Sequence, residues 1–128
     1  MLKNSKAFSS FAVNDIQKAK EFYQDTLGLK VVDNPMGLIE LKVLDSSNIL
    51  IYPKPNHEPA TFTVLNFPVE NINDVVDKLI EKGISFEQYD EEYLKTNEKG
   101  ISSGTGGPSI AWFKDPSGNI LSILEVGK

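Results

Sequence analysis

The chain has one histidine and no cysteine. The missing cysteine removes thiolate nucleophiles, thiolate metal sites and disulfides together. His57 lies in the proline-rich stretch Pro53-Lys-Pro-Asn-His-Glu-Pro59 without an evident acidic orienter, and reads as a surface residue rather than a general base. Asp90, Glu91, Glu92 and Glu98 are close enough in sequence to resemble paired carboxylates, yet such a run reads more simply as a solvated loop face. The glycines between Tyr89 and Pro108 (Gly100, Gly104, Gly106 and Gly107) stand beside Ser102 and Ser103. They do not follow a strand and open a helix, so they do not describe a phosphate-binding loop. A loop of that length in a small domain is usually functional or disordered, and this one could bring Tyr89 or Tyr93 onto a ligand.

The elements that must position these groups come in two similar series. Phe8 to Val13 reads as a strand, and Asn14 and Asp15 offer a capping oxygen. Ile16, Ala19, Phe22, Tyr23 and Leu27 then recur at helical spacing up to Gly28. Short strands are predicted at Lys30 to Asp33, Leu38 to Leu44 and Ile49 to Tyr52, separated by turn residues at Asn34, Pro35, Gly37 and 45–48. From Thr61 the order begins again. A strand runs to Val69, Asn71 caps a helix striped by Ile72, Val75, Val76, Leu79 and Ile80, and Gly83 closes it. Strands are expected at Ile84 to Gln88, Ser109 to Lys114 and Ile120 to Val126.

The halves overlay at an offset of about 56 residues, Val13-Asn-Asp-Ile16 on Val69-Glu-Asn-Ile72. The expected organisation is one α+β domain over 1–128, with module one at about 6–53, a linker at 54–60 and module two at about 61–126. Each βαβββ module is too small to bury its own sheet face. The two are therefore expected to pair into a curved, cup-shaped mixed sheet with helices outside and a ligand inside.

Composition narrows the function classes. Hydrophobic residues are 40% and charged residues 24% of the chain, ordinary globular usage. Thirteen basic residues scattered among eighteen acidic ones give a net charge of -5, which disfavours a phosphate-neutralising nucleic-acid face. A neutral or cationic small ligand suits that balance better. Met1 to Lys6 is polar, unlike a signal peptide, and no apolar run approaches the ~18 residues of a membrane span. The expectation is a cytoplasmic protein without nucleic-acid or membrane partners.

Two motifs carry a resemblance. Phe11-Ala-Val-Asn-Asp-Ile-Gln-Lys-Ala-Lys-Glu-Phe-Tyr-Gln-Asp-Thr-Leu-Gly28 resembles the opening signature of the vicinal oxygen chelate superfamily, the glyoxalase, bleomycin-resistance and extradiol dioxygenase fold. Lys114-Asp-Pro-Ser-Gly-Asn-Ile-Leu-Ser-Ile-Leu-Glu125 resembles its closing signature. Each also has a local reason. Asp115-Pro-Ser-Gly118 is built for a type I turn, and Phe22 with Tyr23 supplies large buried area under a thin sheet.

The resemblance implies a metal in some relatives, with ligands on the first strand, the fourth strand, the opening strand of the second half and the last strand. Counted from the motifs, those positions are Phe8, Ile51, Val64 and Ser122. Where His, Glu or Gln would be needed, the chain has three hydrocarbons and a hydroxyl, so no metal and no other cofactor is expected.

The same register, with strand alternation, nominates a cup lining of Phe8, Ser10, Ile51, Phe62, Val64, Asn66, Trp112, Lys114 and Ser122. Ile120 and Leu124 share its last strand. The resemblance then implies a metal-free protein that binds a small aromatic or amphipathic molecule. A metal-independent lyase or isomerase stays open, with Lys114, the tyrosines, Glu40 and Glu125 as its only titratable candidates, as does a dimerising or regulatory module. A homodimer is expected, with intact or exchanged halves, and no catalytic residue is assigned.

Overall fold

The computed structural model describes residues 1–44, 48–103 and 107–126. The turn expected at 45–47, and Gly104 and Gly106 of the glycine-rich loop, lie outside the described residues. The chain forms two compact units, Met1–Pro59 and Ala60–Lys128.

In the first unit β1 (Ser10–Val13) leads to α1 (Ile16–Glu21), a π-helical turn (Phe22–Thr26), β2 (Lys30–Asn34), β3 (Leu38–Lys42) and β4 (Ile49–Pro53). The helix starts at Asp15, whose Oδ1 accepts the Lys18 N–H at 3.1 Å and so satisfies a free donor of the first turn. After Glu21 the backbone widens, and the Leu27 N–H bonds the Phe22 carbonyl at 3.0 Å, five residues back rather than four. Tyr23, in this turn, is fully buried and lies 6.2 Å from the Phe11 ring and 5.2 Å from that of Phe22. The strands lie in the order β1-β4-β3-β2, with β1 parallel to β4 and the other pairs antiparallel.

Alternation along these strands separates two faces. Phe11, Val13, Ile39, Leu41, Ile49 and Ile51 are buried together with Ala19 and Tyr23, each large side chain contributing about 1.5–3 kcal/mol. The opposite face carries the row Ser10, Leu50 and Glu40, paired across β1, β4 and β3.

The second unit repeats the plan with an excursion. β5 (Thr63–Val69) and α2 (Ile72–Glu81) are followed by β6 (Asp90–Glu91), β7 (Leu94–Lys95), β8 (Ile101–Ser102), β9 (Ile110–Lys114) and β10 (Ile120–Glu125). The sheet order β5-β10-β9-β8, with β5 parallel to β10, matches the first sheet strand for strand. Asn71 caps α2 by accepting the Asp74 N–H at 3.1 Å, 56 residues after the equivalent Asp15 (71 − 15). The architecture is α+β, two mixed four-stranded sheets each with a helix. No helix among the described residues is long and apolar enough to cross a membrane.

The Asp115–Gly118 turn joins β9 to β10, closed by the Gly118 N–H to the Asp115 carbonyl at 3.0 Å. Asp115 Oδ1 accepts the Ser117 and Asn119 N–H groups at 2.9 Å each, and Oδ2 accepts Asn119 Nδ2 at 2.9 Å. Those charge-assisted bonds offset the desolvation of a carboxylate that is only 4% exposed.

The structure corrects the predicted strand at Ile84 to Gln88. Ile84 and Phe86 are buried, but only Glu87 reaches β9, its N–H meeting the Trp112 carbonyl at 2.8 Å. The chain then leaves the sheet edge for the β6–β7 hairpin and returns as β8, which pairs with Ile110 and Ala111. The edge strand is thus split, because several groups of residues 88–101 bond one another rather than β9. Gln88 Nε2 reaches the Glu98 carbonyl at 2.8 Å, Tyr89 N–H the Thr96 Oγ1 at 2.9 Å, and Asn97 Oδ1 takes the Lys99 and Ile101 N–H groups at 2.9 Å each. The first strand is also shorter than predicted, since Phe8 and Ser9 precede it, although the Ser9 carbonyl still accepts the Leu50 N–H at 3.0 Å.

Gly100 closes the excursion at φ +88, where a Cβ would stand 2.6 Å from the Phe86 Cβ and 3.0 Å from the Glu87 carbonyl oxygen. Gly100→Ala therefore adds a clash against backbone to an unfavourable dihedral, and is expected to destabilise by roughly 2–4 kcal/mol. Gly28, at φ +74 with nothing within 4 Å of the place a Cβ would take, should lose only about 1 kcal/mol on the same change. Urea unfolding of both variants checks the difference, and equal losses would contradict the close approach at Gly100.

Candidate functional site

In the second sheet the face opposite Leu121, Ile123, Ala111 and Phe113 presents Asn66, Ser122 and Trp112 in one row, since Ser122 pairs with Asn66 on β5 and Trp112 on β9. Ser122 is fully buried and its Oγ donates to Asn66 Oδ1. The Asn66 carboxamide nitrogen keeps two donors for another partner. Trp112 is half-buried, and the Tyr89 ring stands edge-on to it at 5.6 Å and 86°, a favoured aromatic geometry. Its indole N–H makes no hydrogen bond among the described residues. Lys114, next along that face, is exposed and lies 3.5 Å from Glu87 Oε1, a rim ion pair of little energetic weight.

In the first sheet a concavity of about 730 Å³ is lined by Lys6, Phe8, Asn34, Met36, Leu38, Glu40, Asn48 and Leu50. Phe8 is 64% and Met36 82% exposed. Glu40 is half-buried and accepts Asn48 Nδ2 at 3.3 Å.

Most nominated residues stand on these two faces, each within its own unit. Phe8 lines the first concavity, and Ser10 occupies the same face, exposed to solvent. Phe62 is exposed. Val64 falls where the β5–β10 register steps, between Thr63 opposite Ile120 and Leu65 opposite Leu121.

Ile51 is a correction. It is fully buried on the helix-covered face, between Phe11 and Ile39, and Leu50 takes the position on the opposite face. The parallel pairs show why. Val13 stands opposite Pro53 and Val69 opposite Glu125, so three residues back from each gives Leu50 and Ser122 as equivalents. Both faces of β4 are apolar, which hides the parity in the sequence. Glu125 also leaves the set of titratable candidates, because its Oε2 accepts the Ile72 N–H at 3.0 Å at the start of α2. Tyr93, the alternative to Tyr89 over a ligand, is 93% exposed.

Sequence reasoning misses Met36, Leu38, Asn48 and Leu50. The buried Ile39 and Leu41 assign Leu38 and Glu40 to the other face of β3, and that alternation is the signal that could have found them.

The sequence model of the Glyoxalase/Bleomycin resistance protein/Dioxygenase superfamily matches residues 8–123. The chain belongs to this superfamily. A sequence relative within reach is the uncharacterized protein YraH of Bacillus subtilis, 26% identical over 89% of this chain and 92% of YraH. Two solved structures share the fold. One is a lactoylglutathione lyase from Agrobacterium tumefaciens, at TM-score 0.69 and 18% identity over 96% of both chains. The other is TnmS3, an antibiotic binding protein from Streptomyces sp. CB03234, at TM-score 0.63 and 17% identity over 94% of this chain and 96% of that one. Such likeness fixes the fold and leaves activity to the residues.

For a glyoxalase-superfamily chain the metal positions are the first test. With the register corrected, the positions that the resemblance implies are Phe8 and Leu50 in the first unit and Val64 and Ser122 in the second, three hydrocarbon side chains and one hydroxyl already bonded to Asn66. These donors do not fit a divalent ion, which needs several imidazole or carboxylate ligands. Among the described residues no group of three His, Cys, Asp or Glu is placed to hold one. Elemental analysis of purified protein is expected to find nickel, zinc and manganese well below one equivalent. Stoichiometric metal that disappears in Ser122→Ala would overturn this register.

Proposed function

We propose that this protein is a metal-independent, cytoplasmic small-molecule binder, homodimeric, which holds an aromatic or amphipathic compound on the uncovered faces of its sheets. The carrying observation is the Trp112 row. An indole whose N–H has no partner among the described residues, steadied edge-on by Tyr89, shares its face with the apolar Ile120 and Leu124 and, across Ser122, with Asn66, whose amide donors have no partner among the described residues. Flat aromatic surface with a few fixed polar groups is the usual makeup of a small-molecule site. The antibiotic-binding protein of the same fold supports the class of function, and the large apolar side chains left exposed, Phe8, Met36 and Phe62, support a surface that a ligand or second copy covers.

Trp112 is the sole tryptophan, so its fluorescence reports directly on this face. Titration with a panel of aromatic and glycopeptide compounds is expected to give saturable quenching that neither divalent metal nor chelator alters. Trp112→Phe should retain binding measured by calorimetry, and Trp112→Ala should weaken it about 10-fold through lost stacking. Binding that requires added metal would refute the proposal.

The rival reading, a metal-independent lyase or isomerase, is favoured by one observation. Glu40 stands on the uncovered face of the first sheet, where a carboxylate could move a proton. Turnover abolished by Glu40→Gln would support that reading over simple binding.

A further inference from the structure

We propose that the concavity of the first unit is a binding site for a hydrophobic amine, with Glu40 as its counter-charge; this deepens the small-molecule reading above and rests on it. The concavity, about 730 Å³, falls within the size range of sites for drug-sized ligands. Its walls at Phe8, Met36, Leu38 and Leu50 are apolar, and Phe8 and Met36 leave most of their surface to water. A hydrocarbon or aromatic group would be driven onto them.

Into these surroundings the sequence puts one carboxylate. Glu40 sits at the centre of the face, opposite Leu50 on β4 and Val32 on β2. Its one hydrogen bond among the described residues is a long one, 3.3 Å from the neutral Asn48 amide, although an ionised carboxylate has room for about four. Lys6 at the rim and Lys42, next on the same face of β3, make no ion pair with it among the described residues. Asp33 of the same unit, by contrast, pairs with Lys20 at 2.8 Å. Half-burial without a cation is an unfavourable state that a ligand ammonium would relieve by a charge-assisted hydrogen bond. The net charge of -5 also enriches cations near the surface. The repeat sharpens the point. Glu40 faces Leu50 as Trp112 faces Ser122, so equivalent positions hold a carboxylate in one sheet and an indole in the other.

The test uses the full chain, isotopically labelled for amide NMR, titrated with 4-phenylbutylamine and with the neutral 4-phenylbutan-1-ol, while Trp112 fluorescence is followed in parallel. The amine is expected to shift amides on β1, β3 and β4 and to bind about 10-fold tighter than the alcohol, with an advantage that shrinks at high salt. Glu40→Gln, nearly isosteric, should remove the amine's advantage over the alcohol. Equal affinities for the two probes, or an amine preference that survives Glu40→Gln, would overturn the assignment while the Trp112 titration still stood. Failure of both probes on the first unit would overturn it as well, and loss of the Trp112 response too would refute the parent reading.

Discussion

Among the described residues each unit has one α-helix for a four-stranded sheet with two faces, and this shortage organises the rest of each unit. The helix is seated by the parallel pairing of its unit's first and last strands, β1 with β4 and β5 with β10. One set of alternating side chains is then buried beneath it: Phe11, Val13, Ile49 and Ile51 in one unit, Leu121, Ile123 and Phe113 in the other. The remaining set must find another use. In a chain of this size apolar surface is too scarce to leave idle, and the residues on the uncovered faces are mixed: aromatic, amide, hydroxyl, carboxylate. That mixture differs from the hydrocarbon set beneath the helices, and it is what the proposed small-molecule binding would use.

Much of the fold was legible because the signals were local. Asp15 and Asn71 accept the expected first-turn N–H groups, Gly28 and Gly83 take positive φ at the helix ends, and Asp115 closes its turn through its own neighbours. The repeat was legible because the caps and the closing glycines recur at nearly the same spacing, 56 residues from Asp15 to Asn71 and 55 from Gly28 to Gly83. The split edge strand was not. Ile84 to Gln88 alternates like a strand, and only the bonds among residues 88–100 reveal that the sheet edge passes instead to Ile101–Ser102.

The site was legible by halves, for a related reason. Where a strand is polar on one side, as β10 is at Ser122, parity can be read by eye. Where it is apolar on both, as β4 is, a shift of one residue exchanges every side chain between faces, and Ile51 stands in the sequence reading where Leu50 belongs. The chemistry at this position is the same in either register, because neither Ile51 nor Leu50 can donate to a metal. The absence of metal donors rests on chemistry common to both registers, whereas the identity of the lining depends on which one is right.

The excursion between Gln88 and Ile101 bears on association as well as on architecture. A free sheet edge invites another strand to add to it, and proteins blunt such edges with short strands, charges and bulges. In the second unit the edge strand β8 is only two residues long, and the chain leaves the ladder just beyond it. One edge of the first unit's sheet, β2, carries Lys30, Asp33 and Asn34. Splitting the edge strand therefore shortens the template for fibril-like growth at the β8 edge, and leaves β5, seven residues long at the far end of the same sheet, as the longer edge.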